Sequence, residues 1–458
     1  MELKDEILNG ESKTLEFKIE TPKGKQISKT VIAFANGAGG KLLIGVDDTR
    51  KIIGIPDDVD IFNELDNLNS MIYDNCHPNI STDIYTENID GKIIIVIEVF
   101  PGKLKPYYLK KEGRERGVYI RVGASNRRAE LENIMELERQ RENISYDEEV
   151  DFSLEYSNLN LKILEEKFKN KGKKLTAEKL INLKAVQKIG NDLKVTRGLG
   201  IILGLYENTE IKCARFKGTD MSYFIDKKEF NSDLFTNLEG IEKFIKNHLN
   251  LSSKFSGFQR DDDLEIPILA LREGILNALV HRDYTNQGRD IKIGIYDDIL
   301  EIISPGNLPN TLTIDQIYSG RSEIRNRVLA RFFKELDFIE KWGSGINRIK
   351  KLCSEKGLKE PSIKETGDSI SLIFYRKLNE SDGLATDSDG LATDYDGLAT
   401  DYDKVLEYLK RSKKITTKDV KSLLNIKDTR AKEILKTLID KKLIVRVGKG
   451  RGTHYVLF

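Results

Sequence analysis

Residues 11–48 read ESKTLEFKIETPKGKQISKTVIAFANGAGGKLLIGVDD, and three local patterns follow one another within them. KTLEFKI alternates apolar and polar side chains as a half-buried strand does. KQISKTVIAFAN places Ile27, Val31, Ile32 and Phe34 at helical spacing, and GAGGKLLIGVDD is a glycine turn running into a buried strand. This order predicts an α+β unit. Glu11 and Glu16 stand five apart around its first strand, and Lys18 closes that strand.

Working outward, KIIIVIEVF and GVYIRVGASN are two further apolar β-type runs, which carry the unit to about residue 130. The charged helix AELENIMELERQREN leads into a second region from about 150 to 379. There GLGIILGLYE and IKCARFKG restart the mixed pattern, LEGIEKFIKNHL and LEIPILALREGILNALVHRDY have helical periodicity, and IKIGIYDDILEIISPGNLP predicts a hairpin followed by a proline and glycine loop. Residues 382–402 are three tandem heptads, DGLATDS, DGLATDY and DGLATDY. Each offers one leucine and one alanine beside two aspartates and a glycine, too little for a coiled-coil seam, so 380–402 is expected to be an acidic linker. From Asp403 to Phe458 there are 16 Lys and Arg against 6 Asp and Glu, a net charge of about +10. Three short helical patterns followed by LIVRVGKGRGTHYVLF, two strands around a glycine-rich turn, predict a winged helix-turn-helix. Thr429, Arg430 and Lys432 would open its recognition helix, with Lys449 and Arg451 on the wing for phosphates.

Composition narrows the classes. At 458 residues, with roughly 100 to 200 residues per domain, about three domains are expected. Hydrophobic residues at 39% and charged residues at 33% describe a globular chain. No apolar run is long enough for a bilayer, and MELKDEILNG lacks a signal pattern, so a cytoplasmic protein without membrane partners is expected. Cys76, Cys213 and Cys353 are isolated and histidines number four, which argues against a disulfide framework and a zinc site. The net charge of +1 confines any nucleic-acid affinity to local patches.

In REGILNALVHRDY, Glu273 and Asn277 lie one helical turn apart, and His281 and Arg282 continue near the same face. A carboxylate and an amide so placed can orient a water and share a magnesium ion. A solvated polar stripe would have the same spacing. About 40 residues past the SPGNLP loop, EKWGSGINRIKKL is a glycine loop opening a helix, whose free backbone N–H groups suit phosphate. Arg321, Arg325 and Arg327 are further phosphate candidates.

Residues 265–375 resemble the divergent GHKL-type ATPase fold, an α/β sandwich, of a family regarded as transcriptional regulators. The resemblance implies that Glu273 polarises a water, that Asn277 binds magnesium, and that Gly343 and Gly345 belong to a glycine box at the phosphates, with His281 and Gly306 also facing the nucleotide. The adenine-reading aspartate is replaced here: Ser304, Pro305, Gly306 and Asn307 stand in its box. The chain has no GxxxxGK[ST] phosphate loop.

ESKTLEFK, VIAFANGAGGKLLIGVDD, PYYLKK and GVYIRVGASNRRA occur in that order and resemble a Schlafen/AlbA-type domain over residues 1–130. In Schlafen nucleases three carboxylates form a metal site for RNA cleavage, and those positions correspond to Glu11, Glu16 and Asp48. Three carboxylates could hold one or two divalent cations and activate water. Alternatively the domain binds nucleic acid without cutting, and Glu16 only pairs with Lys18 or a neighbouring arginine. Arg121, Arg127 and Arg128 are expected phosphate contacts, being suited to bidentate pairing. The expectation is an α+β multidomain, DNA-binding regulator that binds ATP with Mg2+ (or Mn2+), forms a homo-oligomer, and changes nucleic-acid affinity with nucleotide. The competing readings are a metal-dependent RNase or DNase, for which RNA would be a partner, and a non-catalytic scaffold.

Overall fold

A computed structural model describes residues 3–376 except 23, 257, 258, 310 and 340–344, and residues 405, 408, 409, 412–424, 431, 432, 434, 435, 438, 439, 444–447 and 453–457; side chains of 252–262 and 457 are not described. The tandem heptads and the expected site residues Gly343, Thr429, Arg430, Lys449 and Arg451 lie outside the described residues. The chain splits into two compact units, Met1–Lys377 and Leu378–Phe458.

The first unit opens with α1 (Leu3–Asn9), β1 (Leu15–Lys18), α2 (Gln26–Asn36), β2 (Gly40–Ile44), α3 (Ile61–Asn75), β3 (Thr82–Ile89) and β4 (Lys92–Val99). The sheet order is β1-β2-β4-β3, with β1 and β2 parallel and the other pairs antiparallel. Parallel neighbours need a crossover, and α2 supplies it. The central strand β4 is apolar on both faces because both are covered. Ile95, Ile97 and Val99 join a cluster with Ile27, Val31 and Phe34 of α2, while Ile94 and Val96 join Leu3 and Ile7 of α1. Along β1 the two-residue period sends Leu15 and Phe17 to the α1 side and Glu16 to the other face, where it meets Thr30 of α2. Gly39 makes the α2-to-β2 turn possible: its φ is +80°, and a Cβ there would stand 2.6 Å from the Val99 carbonyl.

GVYIRVGASN forms two strands rather than one run: β5 (Tyr119–Val122) and β6 (Ser125–Arg128) are an antiparallel hairpin that packs on α2. Asn36 ties helix to hairpin, donating to the carbonyls of Tyr107 at 2.8 Å and Tyr119 at 3.0 Å and accepting from the Tyr107 N–H at 2.8 Å. The charged helix α4 (Leu131–Glu142) follows.

Beyond it come a three-stranded sheet, ordered Val186–Ile189, Asp192–Thr196, Val150–Glu155, and then a larger one. The latter contains β7 (Ile211–Phe216), β8 (Phe224–Phe230), β9 (Ile291–Ile295), β10 (Ile299–Pro305), β11 (Ser362–Thr366) and β12 (Ser369–Tyr375), in the order β8-β7-β9-β10-β12-β11. Only β7 and β9 pair in parallel. The connecting helices are α5 (Leu234–His248), α6 (Ile268–His281), α7 (Arg327–Glu335) and α8 (Gly345–Glu355). Their apolar stripes share one core with Ile293, Ile302, Leu372 and Phe374 of the strands, giving the helix-on-sheet arrangement expected of an α/β sandwich.

In the second unit the described residues include a helix, Thr417–Leu424, with Thr416 and Asp419 bonding each other's backbone N–H at its start. Strands Ile444–Val447 and His454–Leu457 pair antiparallel, as the tail sequence predicts. Val405, Leu409, Val420, Ile434, Leu438 and Ile444 make a small core. Lys432 is exposed.

Candidate functional site

Helix α6 carries the first site. Gly274 lets it approach the sheet closely, since a Cβ there would meet Leu372 Cδ2 at 2.8 Å and Ile302 Cδ1 at 3.1 Å. That approach brings Glu273 and Asn277 onto the wall of a cavity of about 890 Å³, within the range of ligand pockets. His281, Gly306 and Gly345 line the same cavity, so five of the residues chosen from sequence converge on one space. Gly345 sits on the pair itself: an added Cβ would overlap Glu273 Oε1 and come within 3.3 Å of Asn277 Nδ2. His281 is half-buried by surface area but densely surrounded on the cavity wall, and burial pushes its pKa down to about 4, helped by nearby Arg325; the imidazole is neutral near pH 7.

The rest of the wall divides by chemistry. Ile302, Ile363, Ile370 and Leu372 offer an apolar shelf, while Arg321, Arg327, Arg331, Lys334 and Arg348 are cationic. A shelf for a flat ring beside a cationic rim is the donor set that a nucleotide needs. Arg331 is held by Glu148 at 2.7 Å, and Arg327 by Asn143 through bonds of 2.6 Å and 2.8 Å, so two cations are fixed before any ligand arrives. Ser304, in the stretch where the resemblance would place an adenine-reading aspartate, is buried, and its hydroxyl donates to the Ala278 carbonyl at 2.8 Å. Gly306 needs its φ of +109°, and Arg325 presses against it while donating to the Asn307 carbonyl at 2.6 Å.

Two residues support this site in roles that no motif states. Arg282 is 1% exposed and serves the turn after α6, donating to the carbonyls of Asp283 at 3.0 Å and Asn286 at 3.3 Å with its plane 4.7 Å from the Tyr284 ring. Asp147, also buried, accepts from the N–H groups of Arg327, Val328 and Leu329 at 3.0, 2.7 and 3.1 Å, capping α7. Neither has a local sequence signal, because the partners are 180 residues away or are main-chain atoms.

The second candidate site is built differently from its expectation. Glu16 is 7% exposed, and its carboxylate takes Arg121 and Asn126 on Oε2, the latter at 3.1 Å, and Lys18 at 2.8 Å and Thr30 at 3.3 Å on Oε1. Glu11 is exposed and accepts the Phe17 N–H at 2.8 Å, closing the free edge of β1. Asp48 is exposed in the turn after β2. Among the described residues no group of three or more His, Cys, Asp or Glu could hold a metal, so the structure does not gather Glu11, Glu16 and Asp48 into a three-carboxylate centre. Arg121 is likewise not the phosphate contact its motif suggests. It is 3% exposed, spends its guanidinium on Glu16, on Asn126 at 3.0 Å and on the Ser12 carbonyl at 2.5 Å, and lies 5.0 Å from the Phe34 ring. The alternate-face rule of the strand turns Arg121 inward, where burial lowers its pKa against the pull of Glu16. Arg127 and Arg128 of β6 are exposed, Arg128 standing 3.7 Å from Glu112.

The Schlafen, AlbA_2 family model matches residues 11–130. A second model, described as "Putative ATP-dependent DNA helicase recG C-terminal", matches residues 288–374. The chain thus carries a Schlafen/AlbA-type domain and an ATPase-like domain. The Schlafen/AlbA-type stretch holds the whole Glu16 cluster. The ATPase-like match holds Gly306, Gly343 and Gly345, while Glu273, Asn277 and His281 of α6 precede it. Among solved structures, the DIP2311 protein from Corynebacterium diphtheriae is 19% identical, with 97% of this chain and 92% of that one covered and a TM-score of 0.45. The N-terminal domain of the "Putative ATP-dependent DNA Helicase RecG-related Protein" from Nitrosomonas europaea is 29% identical over 28% of this chain and 92% of that one, with a TM-score of 0.22. No curated protein matches the chain. Among the described residues no helix is long and apolar enough to cross a membrane.

Proposed function

We propose that this protein is a cytoplasmic regulator, acting in transcription, that binds DNA and whose affinity for it is set by ATP and Mg2+ held in the cavity beside α6. The observation that carries the reading is the convergence of Glu273, Asn277 and Gly345 on a cavity with an apolar shelf and a cationic rim. Asn277 and Glu273 would hold magnesium with few protein ligands, leaving places for waters and phosphate oxygens, which is how this ion is usually bound. A bound ATP would supply a polyphosphate for the arginines of the rim and a ring for the shelf. Nucleic acid would meet the exposed Arg127 and Arg128 of the Schlafen/AlbA-type domain, taken as residues 1–130. The basic module 403–458, read as a winged helix on an acidic linker, would supply the second contact with Thr429, Arg430, Lys432, Lys449 and Arg451. Paired half-sites would suit a homo-oligomer.

The arrangement around Glu16 favours binding over cutting, since its carboxylate is already committed to four donors. The test is a titration of duplex DNA at one fixed salt concentration, with and without ATP and Mg2+. A change in affinity of about 5-fold or more is expected, at the lower end of ordinary allosteric coupling. Equal affinity in both conditions refutes the nucleotide-set regulator. Cleavage of RNA, tRNA or DNA in magnesium or manganese would move the protein to the nuclease class.

A further inference from the structure

The Schlafen/AlbA-type domain bonds to a loop that lines the cavity. Lys13 stands between Glu11 and β1, and its Nζ donates to the carbonyls of Pro309 and Leu312, each at 3.2 Å. Pro309 and Leu312 both line the cavity. Between Asn307 and Arg325 the loop has one buried described residue, Leu312, and one short helix, Ile314–Tyr318, so it has little packing of its own. One of the two bonds from Lys13 therefore falls on this single anchor and the other three residues before it. The ammonium is shielded from water there: desolvation lowers its pKa, opposed by the attraction of Glu365 and Glu323. A second lysine of the same domain, Lys105, is buried with its Nζ 2.9 Å from Gln140 Oε1 and is attracted by Glu323 of the loop.

Lys13 is also joined to the Glu16 cluster. Its neighbour Ser12 gives its carbonyl to Arg121, and Arg121 bonds Glu16 and Asn126, the latter at 3.0 Å. Asn126 is the residue before Arg127 and Arg128 in β6. A continuous series of bonded groups thus runs from the cavity loop to the exposed arginines.

We infer that Lys13 is a positioning residue of the cavity, through which the Schlafen/AlbA-type domain sets the loop over the nucleotide and bound nucleotide acts in return on the Glu16–Arg121 cluster. The inference rests on the nucleotide reading of the cavity proposed above. Return action follows from linkage, because a contact that changes nucleotide affinity must itself be changed to the same extent by nucleotide.

The test uses the full chain and two substitutions. Lys13→Met keeps most of the stem and removes the charge and donors, while Lys13→Arg restores both. Binding of a fluorescent N-methylanthraniloyl ATP with Mg2+ is measured alongside amide hydrogen exchange over residues 306–325 without nucleotide. The expected result is faster exchange across the loop and about 5-fold or weaker ATP affinity in Lys13→Met, with Lys13→Arg recovering toward wild type in both. Unchanged exchange and unchanged affinity in Lys13→Met overturn the inference. If the wild-type chain binds no ATP, the nucleotide reading falls and exchange alone decides: faster exchange in Lys13→Met keeps Lys13 as the loop's positioning residue, and unchanged exchange removes it.

Discussion

Glu16→Ala should damage the fold of the Schlafen/AlbA-type domain before it affects any chemistry. The side chains of Glu16 and Arg121 are 9% and 1% exposed, and they are each other's charge partners. Without the carboxylate, Arg121 keeps only the Ser12 and Leu15 carbonyls and the Asn126 side-chain oxygen, and its Nε already has no partner. Removing one member of a buried pair costs about 3–5 kcal/mol, because a buried charge is left uncompensated. Lys18 adds little, about 0–1 kcal/mol as for exposed pairs, since its half-exposed ammonium can turn to water. Glu16→Ala should therefore lose about 3–5 kcal/mol. The double substitution Glu16→Met with Arg121→Met buries no charge and should lose much less than the sum of the two single substitutions. Urea unfolding of the full chain, with the β1 and β2 amides followed by hydrogen exchange, measures both. A loss under about 1 kcal/mol in Glu16→Ala, below the range for a broken buried pair, or strict additivity in the double variant, would refute the reasoning. One practical consequence follows for the nuclease question: lost cleavage in Glu16→Ala is ambiguous, whereas exposed Asp48 can be replaced without disturbing a buried partner.

Other expectations follow from the same contacts. In Gly345→Ala the new methyl displaces the far end of the Glu273 side chain rather than backbone, so thermal stability should barely move while ATP affinity, read by fluorescence titration, falls about 10-fold, roughly 1.4 kcal/mol; an unchanged affinity counts against Glu273 and Asn277 as the ligand-facing pair. Asp147→Ala leaves the first three N–H groups of α7 without their acceptor, a loss of about 2–4 kcal/mol in denaturant unfolding given a cap and buried donors; because α7 carries Arg327 and Arg331, ATP binding should weaken with it. Lys105 is held down to about 8 by burial, so the folded chain binds fewer protons there than the unfolded chain between about pH 8 and 10.5. Its contribution to stability is fully present above the unfolded value and is lost as pH falls through about 8. The difference in unfolding free energy between wild type and Lys105→Met should rise over that window by an amount on the order of 3 kcal/mol, and a flat difference would contradict the burial argument.

The sequence made β1, α2, β2 and α6 legible because each carries its own period: Leu15 and Phe17 at spacing two, Ile27, Val31 and Phe34 at helical spacing, and Glu273 and Asn277 one turn apart. Glycines were legible where the backbone demanded them, as at Gly39 with its positive φ. Side-chain direction across elements was not. Whether Arg121 faces solvent or protein depends on which face of β5 packs on α2, and that is decided by Asn36 and the Tyr107 loop rather than by GVYIRVGASN itself. Asp147 and Lys13 were hidden for a related reason: their partners are backbone atoms in remote segments, which no spacing within a motif records.

The sign of the charge around Glu16 bears on what this face can attract. Each carboxylate oxygen is shared by one cation and one neutral donor, Lys18 with Thr30 and Arg121 with Asn126. Two positive groups therefore attend the Glu16 carboxylate, Glu11 also attracts Arg121, and the exposed Arg127 stands on the neighbouring strand without an ion pair among the described residues. A divalent cation entering here would have to displace Lys18 and would be repelled by the buried Arg121, whose charge has no route to water. A phosphate oxygen meets the opposite field: Lys18 can turn outward to it, while Arg121 keeps Glu16 neutralised behind. The motif that looks like a metal-binding edge when its carboxylates are read alone thus has, once its cations are placed, a charge arrangement that supports the nucleic-acid contact proposed above over a metal site.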